Sequence, residues 1–251
     1  TDPRTGTTDV WIYELSRENP MRFTFEPGME NLPIWSPDGQ KIVFAADRGV
    51  PPILVLKALS DSGPGEQLTE TRRWVQYACD WSLDGKFIIY RDGQTNTGDD
   101  LWLLPMFGER KPTVYLRTQF NERDARFSPD GRWVVYVSDE SGRPEVYVQS
   151  FQGGAGKTKV SNGGGEQPQW RRDGKELFYL SSDKKLMAVP VTTAGGFEAG
   201  NPAALFSSGT EMTNYDVSPD GQRFFVIVNA AEPTIWPINV VVNWTAESKG
   251  K

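Results

Sequence analysis

Five near-copies of one short string, each ending in Asp-Gly, recur along the chain at almost constant spacing. Their Asp residues are separated by 46, 46, 43 and 47 residues. A period in the forties is typical of an array of one supersecondary unit, and four-stranded propeller blades repeat every roughly 40 to 45 residues. The copies read WSPDG (35–39), WSLDG (81–85), FSPDG (127–131), WRRDG (170–174) and VSPDG (217–221).

Each copy precedes a β-branched and aromatic run, which predicts a strand. A second apolar run follows in every unit and a third, weaker run closes four of them, so a unit has four short strands when the stretch before the turn is counted. The pattern predicts an all-β protein: a β-propeller with five Asp-Gly blades plus a partial N-terminal blade of a six-bladed ring. The runs after the turns are KIVF (41–44), FIIY (87–90), WVVY (133–136), ELFY (176–179) and RFFV (223–226).

We predict one β-propeller domain over residues 1–251, N-terminally incomplete, because DVWIYEL (9–15) and RFTF (22–25) match the last two strands of a unit. We also expect an open ring with an edge strand at 238–244; pairing of 9–15 with 238–244 is the alternative, and would close a five-bladed ring. The partial blade covers 1–28, and the blades cover about 29–73, 74–119, 120–163, 164–208 and 209–251.

The Asp-Gly string is interpreted as a hairpin turn. Pro supplies a fixed φ, Asp accepts hydrogen bonds from nearby backbone N–H groups, and Gly adopts positive φ without steric cost. A catalytic or calcium-binding Asp would need further acids, bases or ligands at fixed spacing, which no copy offers. The aromatic residues at the start of the copies are expected to be buried between blades: Trp35, Trp81, Phe127 and Trp170.

The composition excludes several classes of chemistry. The chain has no His and a single Cys, Cys79, so it lacks a Ser-His-Asp triad, the usual zinc ligand and any internal disulfide. The net charge of −6 argues against nucleic acid, and no apolar run approaches the ~20 residues of a membrane span. FQGGAGKTK (151–159) lacks the first glycine of a P-loop and is predicted to be a hairpin. We therefore predict no catalytic residue, no metal site and no cofactor.

Two resemblances follow from these strings. LPIWSPDGQKIVFAADRG and DARFSPDGRWVVYVSDESGRPEVYVQSF resemble the WD40-like propeller repeat of the TolB type. The order of the units, with DVWIYELSRENPMRFTFEPG, SNGGGEQPQWRRDGKELFYL and VVVNWTAE, is similar to the C-terminal propeller of bacterial serine/threonine protein kinases. In that family a kinase domain and usually a membrane span precede the propeller. The resemblance implies a sensory or scaffolding module on the extracytoplasmic, periplasmic side, and no kinase motif occurs in these residues.

The predicted binding site is the mouth of the central channel, where the loops entering the first strands meet in a propeller. These positions are polar in every blade, which predicts a site for a protein, peptide or small-molecule ligand; simple solvation of loops explains the same polarity. The residues are Glu30, Asn31, Gln76, Tyr77, Glu122, Arg123, Glu166, Gln167, Thr213 and Asn214.

Two other functions stay open on the sequence alone. One is the gating propeller of a prolyl-oligopeptidase-like serine peptidase, although the G-x-S-x-G elbow and the His of that family are absent from this chain. The other is a free-standing periplasmic TolB-like interaction protein. In both cases this segment is predicted to be non-catalytic.

Overall fold

The structure is a computed structural model that describes residues 6–14, 20–48, 51–70, 74–94, 98–152, 156–207, 212–228 and, for the backbone, 238–242. Within these ranges every regular element is a β-strand, which confirms the predicted all-β class. None of these residues belongs to a helix long and apolar enough to cross a membrane. The chain divides into two compact units, Thr1–Arg123 and Asp124–Lys251.

The first unit contains a two-stranded sheet and two four-stranded antiparallel sheets, here named sheet A and sheet C. In both larger sheets the strands follow one another in chain order, as predicted for repeated units. The small sheet is β1 (Trp11–Ile12) and β2 (Met21–Arg22); sheet A is β3 (Met29–Trp35), β4 (Lys41–Asp47), β5 (Ile53–Ala58) and β6 (Glu66–Gln67); sheet C is β7 (Gln76–Trp81), β8 (Phe87–Gln94), β9 (Gly98–Pro105) and β10 (Thr113–Leu116).

The second unit contains the remaining sheets, and its first strand begins just before the boundary between the units. The next-to-last sheet has one strand more than predicted, because β18 and β19 both pair with β17. The strands are β11 (Glu122–Phe127), β12 (Trp133–Ser138), β13 (Glu145–Ser150) and β14 (Thr158–Lys159); β15 (Glu166–Trp170), β16 (Glu176–Leu180), β17 (Lys185–Thr192), β18 (Glu198–Ala199) and β19 (Ala203–Ser207); β20 (Met212–Val217), β21 (Arg223–Val228) and β22 (Ile238–Val242).

The Asp-Gly strings form hairpin turns between the first two strands of each of the five larger sheets, as predicted. In the first turn the Ser36 hydroxyl donates to Asp38, and Asp38 Oδ1 accepts the N–H of Gln40 at 3.0 Å. Ser36 Oγ also accepts the N–H of Lys41 at 2.9 Å. Gly39 has φ of 67°, a left-handed conformation that glycine adopts at no steric cost. These hydrogen bonds lower the pKa of Asp38, so its charge serves the turn.

FQGGAGKTK (151–159), predicted to be a hairpin and not a P-loop, includes the connection between β13 and β14, and these two strands pair antiparallel. No strand-to-helix junction exists there among the described residues, and residues 153–155 lie outside them. β22 pairs with β21 at one edge of its sheet. Residues 243 and 244 lie outside the described part, as do the side chains of Val240 and Val242. The blade limits, the number of blades and the open ring stay predictions.

The core consists of sheet faces that pack on neighbouring sheets within each unit. The residue six positions after each turn Asp is buried in all five copies, an aromatic in four of them: Phe44, Tyr90, Tyr136, Tyr179 and Val226. Trp81 and Trp170 are 8% exposed and Phe127 is 6% exposed, as expected. The prediction for Trp35 is wrong, since it is 49% exposed. Trp81 packs against Val43, Leu54 and Leu56 of the preceding sheet, whereas only β1 and β2 precede the sheet of Trp35 in the described part.

Replacing Trp81 by Ala should therefore lower the free energy of unfolding by roughly 3–5 kcal/mol, the cost of truncating a large buried aromatic side chain. Trp35→Ala is the matched control, because it removes a Trp side chain at the equivalent position of sheet A, where that side chain is half exposed. We expect the control to lose less than half as much in urea unfolding. Equal losses would contradict the difference in burial.

Candidate functional site

The predicted site residues lie at the beginnings of the first strands, but they do not share one environment. In the first three copies, the residue eight positions before the turn Asp is polar and buried: Glu30, Gln76 and Glu122. Each is bonded to a threonine that precedes it in the chain. The Thr24 hydroxyl donates to Glu30 at 3.4 Å, that of Thr69 to Gln76 at 2.5 Å and that of Thr118 to Glu122 at 2.5 Å.

Two of these threonines also accept a hydrogen bond from a backbone N–H group earlier in the chain. Thr69 Oγ1 accepts the N–H of Leu54 on β5 at 3.1 Å, and Thr24 Oγ1 accepts the N–H of Val10 at 2.9 Å. One hydroxyl thus joins the edge of one sheet to the first strand of the next. The Ser161 hydroxyl makes the same two kinds of hydrogen bond: it accepts the N–H of Val146 at 2.7 Å and donates to the Glu145 carboxylate.

Thr69→Val should lower the free energy of unfolding by about 2 kcal/mol, because the isosteric change leaves the N–H of Leu54 and Oε1 of Gln76 buried without their partner. The exposed Thr113 provides the control, and Thr113→Val should leave the urea midpoint nearly unchanged. A stable Thr69→Val protein would show that this hydroxyl does not support the junction between sheets A and C.

Glu30 combines burial with proximity to another acid. Burial first, and then the negative charge of Asp9, raises the pKa of Glu30 above its ordinary value. Oε1 of Glu30 is buried and has no hydrogen-bond partner within the described ranges. An acid whose pKa is higher in the folded than in the unfolded protein destabilises the fold once pH exceeds its unfolded pKa.

Glu30→Gln should consequently raise the free energy of unfolding near pH 7, since the neutral amide keeps an acceptor for Thr24 and removes the buried charge. The gain should shrink as pH falls towards about 4, where the unfolded glutamate is itself becoming protonated. Urea unfolding at both pH values measures the difference, with the exposed Glu198→Gln as control. Lower stability of Glu30→Gln at both pH values would mean that the ionised carboxylate is favourably bound.

The next residue in each of these three strands is half-buried: Asn31, Tyr77 and Arg123. Asn31 Oδ1 accepts the Thr8 hydroxyl at 3.2 Å. The ring of Tyr77 lies 4.8 Å from the guanidinium carbon of Arg91, which in turn pairs with Asp99 at 3.0 Å. The aromatic ring of Tyr77 therefore lies beside a cation, Arg91, that is itself held by Asp99.

The first strands carry a recurring irregularity that the sequence analysis missed. Strand pairing shifts register inside β3, β7, β15 and β20, and three residues six positions before a turn Asp have left-handed backbone. These are Leu32 with φ of 49°, Asp124 with 54° and Gln167 with 52°. Left-handed backbone at residues other than glycine is uncommon, and bulges that re-aim side chains are frequent beside functional sites. Only Asp124 is of a type that favours this conformation, so the sequence held little signal for the other two.

In the second unit residues at or near these positions form a polar chain across three first strands. The N–H of Gln167 donates to Asp124 Oδ2 at 3.3 Å, and its Nε2 donates to the Thr213 carbonyl at 2.8 Å. The hydroxyl of buried Tyr215 donates to the Gln167 carbonyl at 2.8 Å. Because a carbonyl fixes Nε2, the orientation of the amide is determined, and Gln167 Oε1 is buried with no partner among the described residues.

The other predicted residues of the second unit are placed differently. Glu166 accepts from Lys184 Nζ at 3.3 Å, and exposed Asn214 accepts the N–H of Tyr215 at 2.8 Å. The Thr213 hydroxyl donates to the Ile227 carbonyl at 3.2 Å. The pairs predicted in these two copies begin seven residues before the turn Asp, one later than in the other three. The position of the buried polar residues is instead held by Gly165 and Met212.

These contacts define what the site can do chemically. Half-buried amide, phenol and guanidinium groups beside bulged backbone can donate and accept hydrogen bonds. No cluster of three or more Cys, Asp or Glu suited to a metal ion occurs in the ranges that the structure describes. The arrangement suits recognition of a polar ligand.

Comparison with known proteins supports this class of fold. The chain has the β-propeller fold: it superposes on the crystal structure of TolB from Acinetobacter baumannii with a TM-score of 0.71 at 21% identity, over 88% of this chain and 54% of that one. A likeness at this identity shows the fold alone.

Two sequence relatives are similar over a little more than half of the chain. One is the uncharacterized peptidase YuxL of Bacillus subtilis, 24% identical over 57% of this chain and 28% of its own length. Another is the Tol-Pal system protein TolB of Helicobacter pylori, 23% identical over 54% of this chain and 33% of its own. The alignments span a third or less of these relatives. No protein-family model matches the chain.

Proposed function

We propose that this chain is a non-catalytic, ligand- or protein-binding β-propeller, and that it recognises its ligand where the first strands begin. The observation that carries the proposal is Gln167. Its left-handed backbone and fixed amide hold Oε1 as a buried acceptor that no described residue satisfies. An unsatisfied buried acceptor costs about 1–3 kcal/mol, so a ligand N–H or O–H that satisfies it would bind favourably.

The proposed ligand is therefore rich in hydrogen-bond donors, as peptides and small polar molecules are. In the second unit, half-buried Glu166 and Thr213 and exposed Asn214 are proposed as further contacts. Half-buried Asn31, Tyr77 and Arg123 stay predicted contacts of the first unit. Glu30, Gln76 and Glu122 belong to the same predicted set. Their bonds to threonine support a part in holding the strands that present the site.

A thermal-shift screen with short peptides and neutral oligosaccharides tests the proposal, because a ligand that binds only the folded chain raises Tm, and by more the tighter it binds at a given concentration. Gln167→Leu, which keeps the volume and removes the amide, should weaken binding of a hit by about tenfold, or about 1.4 kcal/mol. Gln169→Leu, two residues further along β15, is the matched control. A hit that binds both variants equally would contradict the assignment of the site.

We further propose that the propeller is the sensory or scaffolding module of a bacterial signalling protein kinase, on the periplasmic side. The order of the repeat units in the sequence supports this, because it is similar to the order in the C-terminal propellers of bacterial serine/threonine protein kinases. A gating propeller of a prolyl-oligopeptidase-like peptidase is the second candidate, favoured by the similarity to YuxL. A free-standing periplasmic TolB-like protein is the third, favoured by the similarity to TolB.

The native polypeptide distinguishes these roles. Precipitation from cells with an antibody raised against this chain should yield a longer protein that transfers phosphate from ATP. Cleavage of proline-containing peptides by the precipitate would instead support the peptidase, and a periplasmic protein with neither activity would support the TolB-like role. Recombinant residues 1–251 are expected to be inactive in both assays.

A further inference from the structure

A second concave surface extends along sheets A and C from the Asp-Gly turns, where the first strands finish, and its residues all belong to the first unit. A cleft of about 520 Å³ opens between the turns of sheets A and C. Its apolar lining comes from both sheets: Leu56, Trp81, Leu83 and Met106. Lys41 and Leu56 also line a neighbouring cleft of about 700 Å³, which shares Glu66 with a third cleft of about 580 Å³. The three clefts adjoin through these shared lining residues and are together named the A–C groove.

Two apolar side chains at or next to the apolar end of this groove are exposed. Leu83 is 57% exposed and replaces the Pro that stands at the same turn position in three of the other copies. Phe107, next to Met106, is 56% exposed and packs edge-on against Phe87 with 5.7 Å between ring centroids. Nothing in turn geometry requires Leu83, because Pro supplies the φ of that position directly. Contiguous exposed apolar side chains mark interaction surfaces.

The charge of the groove selects the partner. Its lining carries six carboxylates against three cations, and Arg110 is engaged with Glu66 at 2.8 Å. Hydrogen bonds lower the pKa of Asp38 and the pKa of Asp84, so both keep their charge at neutral pH. The carboxylates belong to Asp38, Asp61, Asp84, Glu66, Glu70 and Glu109, and the cations to Lys41, Arg110 and Lys111.

We propose that the A–C groove docks an extended basic segment of a partner polypeptide. One apolar side chain of that segment sits between Trp81, Leu83 and Met106, and its flanking Lys or Arg residues face the groove carboxylates. The middle of the groove is lined by small residues such as Ala58, Ser60 and Gly63, which leaves room for an extended backbone. The third cleft also reaches Thr69 and Gln76, so one end of the groove adjoins the beginning of β7, whereas the proposed apolar contact lies at the turns.

The test uses a fluorescein-labelled heptapeptide in which one leucine stands between lysine and arginine residues, titrated with the 251-residue chain. Two comparison peptides replace the leucine by glycine or every basic residue by glutamate. Fluorescence anisotropy should show binding of the first peptide that weakens with salt, as expected for paired charges. Both comparison peptides should bind more weakly. Equal affinity of the glutamate peptide, or no binding of the basic one, would overturn the proposal.

Variants separate the groove from general charge attraction. Leu83→Ser should weaken binding of the basic peptide by about tenfold, which corresponds to the loss of about 1.4 kcal/mol of apolar contact. The double variant Asp61→Asn, Glu109→Gln should lower the affinity for the basic peptide and make that affinity less dependent on salt concentration. The controls are Val114→Ser, another exposed apolar residue, and Glu198→Gln, both outside the groove lining. All five substitutions fall at exposed positions, so circular dichroism should report native folding. Unchanged affinity in Leu83→Ser would overturn the proposal.

Discussion

The hydrogen bonding of the Asp-Gly turn is the constraint on which each sheet depends. A serine hydroxyl donates to the Asp and accepts the N–H five residues after the serine, so the turn closes with the first two strands in one register. Because successive side chains of a strand point to opposite faces, a slip of one residue would turn Tyr90 or Tyr136 to the opposite face of its sheet. The copy WRRDG keeps the turn with different chemistry. There Arg171 replaces the serine and pairs with Asp173 at 3.3 Å and with Glu176 at 3.1 Å.

The repeat made the fold class and the strands predictable, because turn chemistry and alternating apolar runs are local in sequence. The burial of Trp35 was predicted wrongly since burial depends on the neighbouring sheet, and alignment of the copies treats every sheet as having one. The junctions were missed for a different reason. Thr24, Thr69 and Thr118 precede their buried partners by four to seven residues, across loops of different length. A threonine shortly before Glu or Gln at the start of a unit is a signal that sequence reasoning could use.

The candidate site was only partly predictable. Polarity located the beginnings of the first strands, yet polarity is shared by buried Glu30, half-buried Gln167 and exposed Asn214. What distinguishes Gln167 is its left-handed backbone, which depends on the bulge in β15 and on contacts with Asp124, Thr213 and Tyr215 from neighbouring strands. Those contacts join residues 43 to 48 positions apart, so no local pattern announces them.

The two ends of the sheets meet different physical demands. At the beginnings of the first strands, buried polar groups form hydrogen bonds across the gap between sheets, which restricts residue type and fixes the backbone. At the Asp-Gly turns the serine, Asp and Gly carry the structure, and the second turn position faces outward. That position is held by Pro37, Leu83, Pro129, Arg172 and Pro219 without loss of the turn. Since the fold does not depend on this side chain, the residue at this position is free to vary in ways that favour binding of a partner. At Leu83 the variation adds exposed apolar surface.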